Sequence, residues 1–147
     1  MKPKIIAQNN GHLRQLIQKE IKLNGYQCDL NHIDVSYVKD MSYLFYDLKF
    51  NGNISNWDVS NVENMNAMFI DSSTFKKDLS NWKPYKLISL DGIFEECEAP
   101  VPYWAKIEDQ KARNEAINKY QETKNLSEEL DKELNNNNNS PNKKFKL

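Results

Sequence analysis

Hydrophobic positions along the chain follow a spacing that repeats. From Phe50 onward, apolar residues fall at Ile54, Trp57, Val59, Val62, Met65, Met68 and Phe69, with polar residues between them. Twenty-five residues later, Phe75, Leu79, Trp82, Leu87, Leu90 and Phe94 answer Phe50, Ile54, Trp57, Val62, Met65 and Phe69, and Ser-Asn-Trp recurs unchanged. Twenty-four residues earlier, Leu30, Ile33, Val35, Val38, Met41, Leu44 and Phe45 stand opposite Ile54, Trp57, Val59, Val62, Met65, Met68 and Phe69. Self-similarity at this period marks stacked units, none of which covers its apolar face alone.

Within a unit, Ile54-x-x-Trp57-x-Val59 puts Trp57 and Val59 on one face of a short strand, because side chains alternate along it. The later spacing of three suits a helical or 3₁₀ turn. Residues 1–27 predict an N-terminal capping strand or helix. Asn10 starts the helix, Leu13, Leu16, Ile17 and Ile21 form its apolar stripe to about Leu23, and Gly25 closes it. Three units follow, at 28–49, 50–74 and 75–99. In the third, Lys83-Pro84-Tyr85-Lys86 replaces Asp58-Val59-Ser60-Asn61, and a proline that cannot donate predicts an edge strand. Ala99-Pro100-Val101-Pro102 then breaks the pattern, and Trp104, Ile107, Ala116, Ile117 and Tyr120 recur at helical spacing in C-terminal capping helices over 100–134. Leu126, Leu130 and Leu134 extend this as a narrow stripe, and the asparagine-rich segment 135–147 is expected to be disordered. The fold class expected is an α/β repeat, a short parallel β-solenoid of three repeats with helical caps at both ends.

Composition narrows the function. Of 147 residues, 39% are hydrophobic and 28% charged, and no apolar run approaches the ~20 residues of a membrane helix. The first residues lack an apolar stretch of signal-peptide length, so a cytoplasmic location is expected. Charge is uneven. Residues 1–27 carry a balance of +4, residues 28–100 one of −6 and residues 101–147 one of +1. The acidic centre argues against direct nucleic-acid binding and suits a basic protein partner. Cys28 and Cys97 form no C-x-x-C pair and are expected as reduced thiols.

Catalytic chemistry finds little to stand on. A nucleophile needs an oriented base beside it. The two histidines are His12, in the first helix, and His32, which aligns with Asn56 and Asn81 as an ordinary unit position. No phosphate-binding glycine loop or EF-hand pattern occurs. The reading is a protein that is not an enzyme, with no cofactor, no metal site, no membrane segment and no small-molecule substrate. Trp57, Trp82, Met41, Met65 and Met68 are assigned to the core. The candidate partner-binding surface is the outward row formed by His32, Asn56 and Asn81, then Asp34, Asp58 and Lys83. Strand pairing would set the Asp34 and Asp58 carboxylates about 4.8 Å apart. Their repulsion points to a cationic partner.

The run Phe50 to Phe69, F-N-G-N-I-S-N-W-D-V-S-N-V-E-N-M-N-A-M-F, resembles the BspA-type leucine-rich repeats of bacterial surface proteins, whose signature is similar to F-N-x-D-I-S-x-W-D-V-S-N-V-T-N-M-x-x-M-F. The resemblance covers about residues 28–97. It implies a leucine-rich-repeat-like parallel solenoid with one strand per repeat, a protein-binding role, and no catalytic residues. Many members of that family are exported or lipid-anchored. The function expected is a non-catalytic protein–protein interaction module with a polar, acidic face. Alternatives are a small cytosolic or phage-encoded inhibitor that mimics nucleic acid and blocks a basic cleft, and a fragment of a surface adhesin.

Overall fold

Turns take most of the positions where strands are expected. The apolar residues three apart are joined by backbone hydrogen bonds that close one-turn loops: Trp57 N–H donates to Ile54 (3.2 Å), Val62 to Val59 (3.1 Å) and Met68 to Met65 (3.1 Å). The same bonds recur at Ile33 to Leu30, Val38 to Val35 and Leu44 to Met41. Between these loops, polar side chains capture the backbone two residues ahead. Asp34 accepts from the N–H and hydroxyl of Ser36, Asp58 from those of Ser60, and Asp78 from those of Ser80, each at 2.6 to 3.0 Å. Such local bonds compete with a sheet ladder for the same donors.

The computed structural model, which describes residues 2–139, therefore contains one sheet of two strands, each two residues long. Strand β1 (Ile5–Ile6) pairs in parallel with β2 (Ile33–Asp34), Ile5 opposite Ile33 and Ile6 opposite Asp34. This corrects the expected fold class. A three-repeat parallel β-solenoid with one strand per repeat is not formed, because the donors that would build its strands are spent in turns. Later units carry two isolated parallel bridges, Asp40 to Asn64 and Asn64 to Ser89, within a run of backbone bonds that every second N–H from Met41 to Asp47 and from Met65 to Asp71 donates to the next unit. Around them, Met41 N–H donates to Asn64 and Met65 N–H to Ser89, both at 2.8 Å. The expected edge strand at Lys83–Lys86 is likewise a turn, in which Tyr85 N–H donates to Lys83 (2.8 Å).

The apolar positions do form the core. Ile54, Trp57, Val59, Val62, Met65, Met68 and Phe69 are all buried, as are Met41 and Trp82. Aromatic rings stack in columns. Phe45, Phe69 and Phe94 lie nearly parallel at centroid spacings of 5.2 and 5.3 Å. Trp57, Trp82 and Trp104 follow one another at 6.3 Å. Gly52 is fixed by close approach: a Cβ there would sit 1.9 Å from the Cys28 carbonyl oxygen. A second recurrent feature is left-handed backbone, with Tyr43, Ala67 and Gly92 at φ of 53 to 64° and Asp47, Asp71 and Glu96 at 50 to 57°. Each unit thus carries two such residues, four apart.

Helix α1 (Asn10–Asn24) begins one residue later than its cap. Asn9, not Asn10, accepts from His12 N–H, and Gly25 closes the far end. Asn10 instead donates to the Asp40 and Ser42 carbonyls, fastening α1 to the first unit. At the other end, Trp104 belongs to a short 3₁₀ helix (Tyr103–Lys106) and continues the tryptophan column. Helix α2 (Gln110–Asn138) begins after it, capped by Asp109. It runs through Asn135 to Asn138 of the segment expected to be disordered; residues 140–147 of that segment lie outside the described residues. Arg113 is fully buried, and its guanidinium donates to the carbonyls of Leu87, Ile107 and Glu108. Among the described residues, no helix is long and apolar enough to cross a membrane.

Candidate functional site

The outward row is divided by the elements that flank it. In the first unit, β1 and α1 cover both candidates. The His32 side chain is only 9% exposed, and its Nε2 lies 3.1 Å from Glu20 Oε1 of α1. Glu20 also accepts from Lys2 Nζ at 2.7 Å and from Asn24 at 2.9 Å. The Lys2 ammonium holds the Glu20 carboxyl below its usual range, against the opposing effect of burial, with Asn24 and His32 adding to the lowering. Asp34 is half-buried; its Oδ1 accepts from Ser36 and its Oδ2 lies 3.7 Å from Lys4 Nζ. Ser36, more than Lys4, keeps its carboxyl below the ordinary value.

The second and third units stay open. Asn56, Asp58, Asn81 and Lys83 are exposed. Asn56 N–H is held by Asn31 Oδ1 at 2.9 Å, so the residue is seated from the unit before it. Asn81 Oδ1 accepts from Lys124 Nζ of α2 at 3.0 Å. The structure thus presents Asn56, Asp58 and Lys83 on one open stretch and places His32 and Asp34 under the N-terminal segment. The inference from carboxylate repulsion is corrected too. Asp34 and Asp58 have a structural reason to be acidic, since each holds a Ser-two-ahead turn, so no partner is needed to explain them.

Beside the row lies a cavity of about 830 Å³, which His32 and Asn56 line together with Lys2, Lys4, Asn31 and Cys28. Its donors are ammonium and amide groups, with the Asp29 carboxylate among them as an acceptor, a mixed lining that fits peptide backbone. Sequence reasoning missed it, although the +4 balance of residues 1–27 is the signal that marks it. Cys28 and Cys97 are free thiols, both pushed up chiefly by burial. Among the described residues, no group of three or more His, Cys, Asp or Glu side chains is placed to hold a metal ion.

A family model described as "Mycoplasma protein of unknown function, DUF285" matches residues 12–136, most of the chain. The chain belongs to this family. Membership in DUF285 corrects the resemblance to BspA-type leucine-rich repeats, which rested on the Phe50–Phe69 run, and with it the leucine-rich-repeat and solenoid description. The DUF285 match takes in nearly all of α1, all three units and nearly all of α2, so the helical flanks are part of what the family model covers. No curated protein and no solved structure matches the chain.

Proposed function

We propose that this DUF285 protein is a non-catalytic protein-binding module whose partner meets the open stretch of Asn56, Asp58 and Lys83 and the adjoining cavity. The observation that carries this reading is that the stretch is exposed yet already fixed. The Asp58 carboxylate is locked onto Ser60 and the Asn56 backbone onto Asn31, so a partner would find Asp58 preorganised on a fixed backbone and lose little rotamer freedom in using it. The cytoplasmic setting belongs to the same reading and is supported by the two free thiols. The test is cross-linking in the native host with wild type and with Asn56→Lys/Lys83→Glu, which reverses or crowds the open stretch without touching the Asp58 turn. A partner captured by wild type and lost from the variant, at unchanged melting temperature, supports the proposal. Equal capture by both would move the site elsewhere. A partner lost steeply between low and physiological salt would favour electrostatic mimicry of nucleic acid instead.

A further inference from the structure

Past Lys124, α2 leaves the body of the protein, and every residue from Asn125 to Asn139 is exposed. Leu126, Leu130 and Leu134 are 51 to 66% exposed and share one helix face through their four-residue spacing. Around them, residues 125–138 hold four acidic side chains and one basic, a balance of −3. Such a helix is amphipathic and acidic, and among the described residues nothing covers its leucines.

The opposite end of the molecule carries the complement. Between α1 and the loop 43–48 run two hollows, of about 370 and 80 Å³, joined through shared lining by Gln18 and Leu48. Tyr26, Tyr43 and Tyr46 line this groove, each half exposed, with Tyr43 and Tyr46 meeting edge to face at 6.0 Å. Among the described residues its charged lining is Arg14 and Lys22, with no carboxylate. Tyrosine and arginine on an exposed apolar groove are the residue types that carry binding energy at interfaces. The groove sits on the first unit, where Arg14 donates to the Tyr43 carbonyl. Helix α2 sits on the third, where Asn118 accepts from the Tyr85 hydroxyl and Asn114 donates to the Tyr85 carbonyl. The two surfaces therefore belong to opposite ends of the row of units.

We infer that the tyrosine groove of one copy takes the distal half of α2 from a second copy. The leucines lie on the tyrosine rings, and the flanking glutamates approach Arg14 and Lys22, a helix-in-groove contact. Because the two surfaces differ, the contact is heterologous. Each bound pair still offers one groove and one helix, so growth is head to tail.

Sedimentation velocity on the full chain tests this, with Leu130→Glu to spoil the helix and Tyr46→Glu to spoil the groove. Lys22→Glu serves as a second groove variant, on an exposed side chain whose change leaves the fold intact. Wild type should grow in mass with concentration and lose at least tenfold in affinity when salt is raised. Each variant alone should stay monomeric. An equimolar mixture of the helix and groove variants should form a one-to-one dimer and stop there, since one intact groove meets one intact helix. Three results overturn the inference: wild type monomeric at every concentration, groove variants that associate as wild type does, or a mixture that stays monomeric. The second would mean that the leucine faces pair with each other.

Discussion

The indole N–H of Trp82 donates to the carbonyl oxygen of Ile54 at 3.0 Å, and both groups are buried. The contact recurs on either side, with Trp57 donating to Leu30 and Trp104 to Leu79, both at 2.9 Å. Each ring thereby fills the core and gives a second donor to a carbonyl that already closes a turn. Stacking and hydrogen bonding pull on the same residue, which separates their effects by substitution.

Trp82→Ala should cost ~3–5 kcal/mol, the range for deleting a buried tryptophan. Trp82→Phe keeps most of the apolar contact and removes one of the two donors to the Ile54 carbonyl, which still accepts from Trp57 N–H, and should cost about 0.5–1.5 kcal/mol. Urea denaturation followed by circular dichroism gives both numbers. A Phe variant as stable as wild type would show that the indole bond contributes nothing.

Left-handed backbone gives an opposite sign. Glu96 is exposed at φ 52°, a conformation that costs an L residue roughly 1 kcal/mol or more. Glu96→Gly should leave stability unchanged or raise it by up to about 1 kcal/mol, because relief of strain is offset by a freer unfolded chain. Gly92, at φ 64°, occupies the place of Ala67, and Gly92→Ala should lower stability by roughly 1 kcal/mol. Thermal melts of the pair should shift in opposite directions, or in one only.

Acid and alkali should act on different ends of the molecule. Glu20 is held below its ordinary value of 4.5 and Asp34 below 3.8, so folding keeps them ionised more readily than the unfolded chain does. That stabilisation is present above these values and is lost as pH falls below about 4.5 and through the folded values. Glu20→Gln should flatten the acid limb. Tyr103 stacks on Tyr120, and burial pushes its phenol up to about 12 from 10.0. Between those two values the unfolded chain ionises first, so stability should fall as pH rises. Tyr103→Phe should remove that fall, which an alkaline denaturation series reads directly.

The apolar spacing in the sequence identified the core, because burial of Ile54, Trp57, Val62 and Met65 depends only on their period. Helix α1 was legible for a similar reason: a stripe of four apolar residues lies between an asparagine and Gly25. The strands were not. An Asp-x-Ser triplet reads as polar alternation along a strand and equally as a side-chain-locked turn, and only the hydrogen bonds of Asp34, Asp58 and Asp78 decide between them. Arg113 was invisible because a buried arginine and a solvated one look alike on an amphipathic helix. The row of candidate site residues was read in register, but its covering depends on where β1 pairs and how far α2 reaches. Those long-range contacts removed His32 and Asp34 from the open surface and set Lys124 against Asn81.

The indole relay has a consequence for synthesis. Every donor in it looks backward along the chain, Trp57 to Leu30, Trp82 to Ile54 and Trp104 to Leu79. When each tryptophan leaves the ribosome its acceptor has already emerged, on the order of seconds before at ordinary elongation rates. No unit waits for the end of the chain to complete this contact, so the indole bonds can close one after another in the order in which the units are translated.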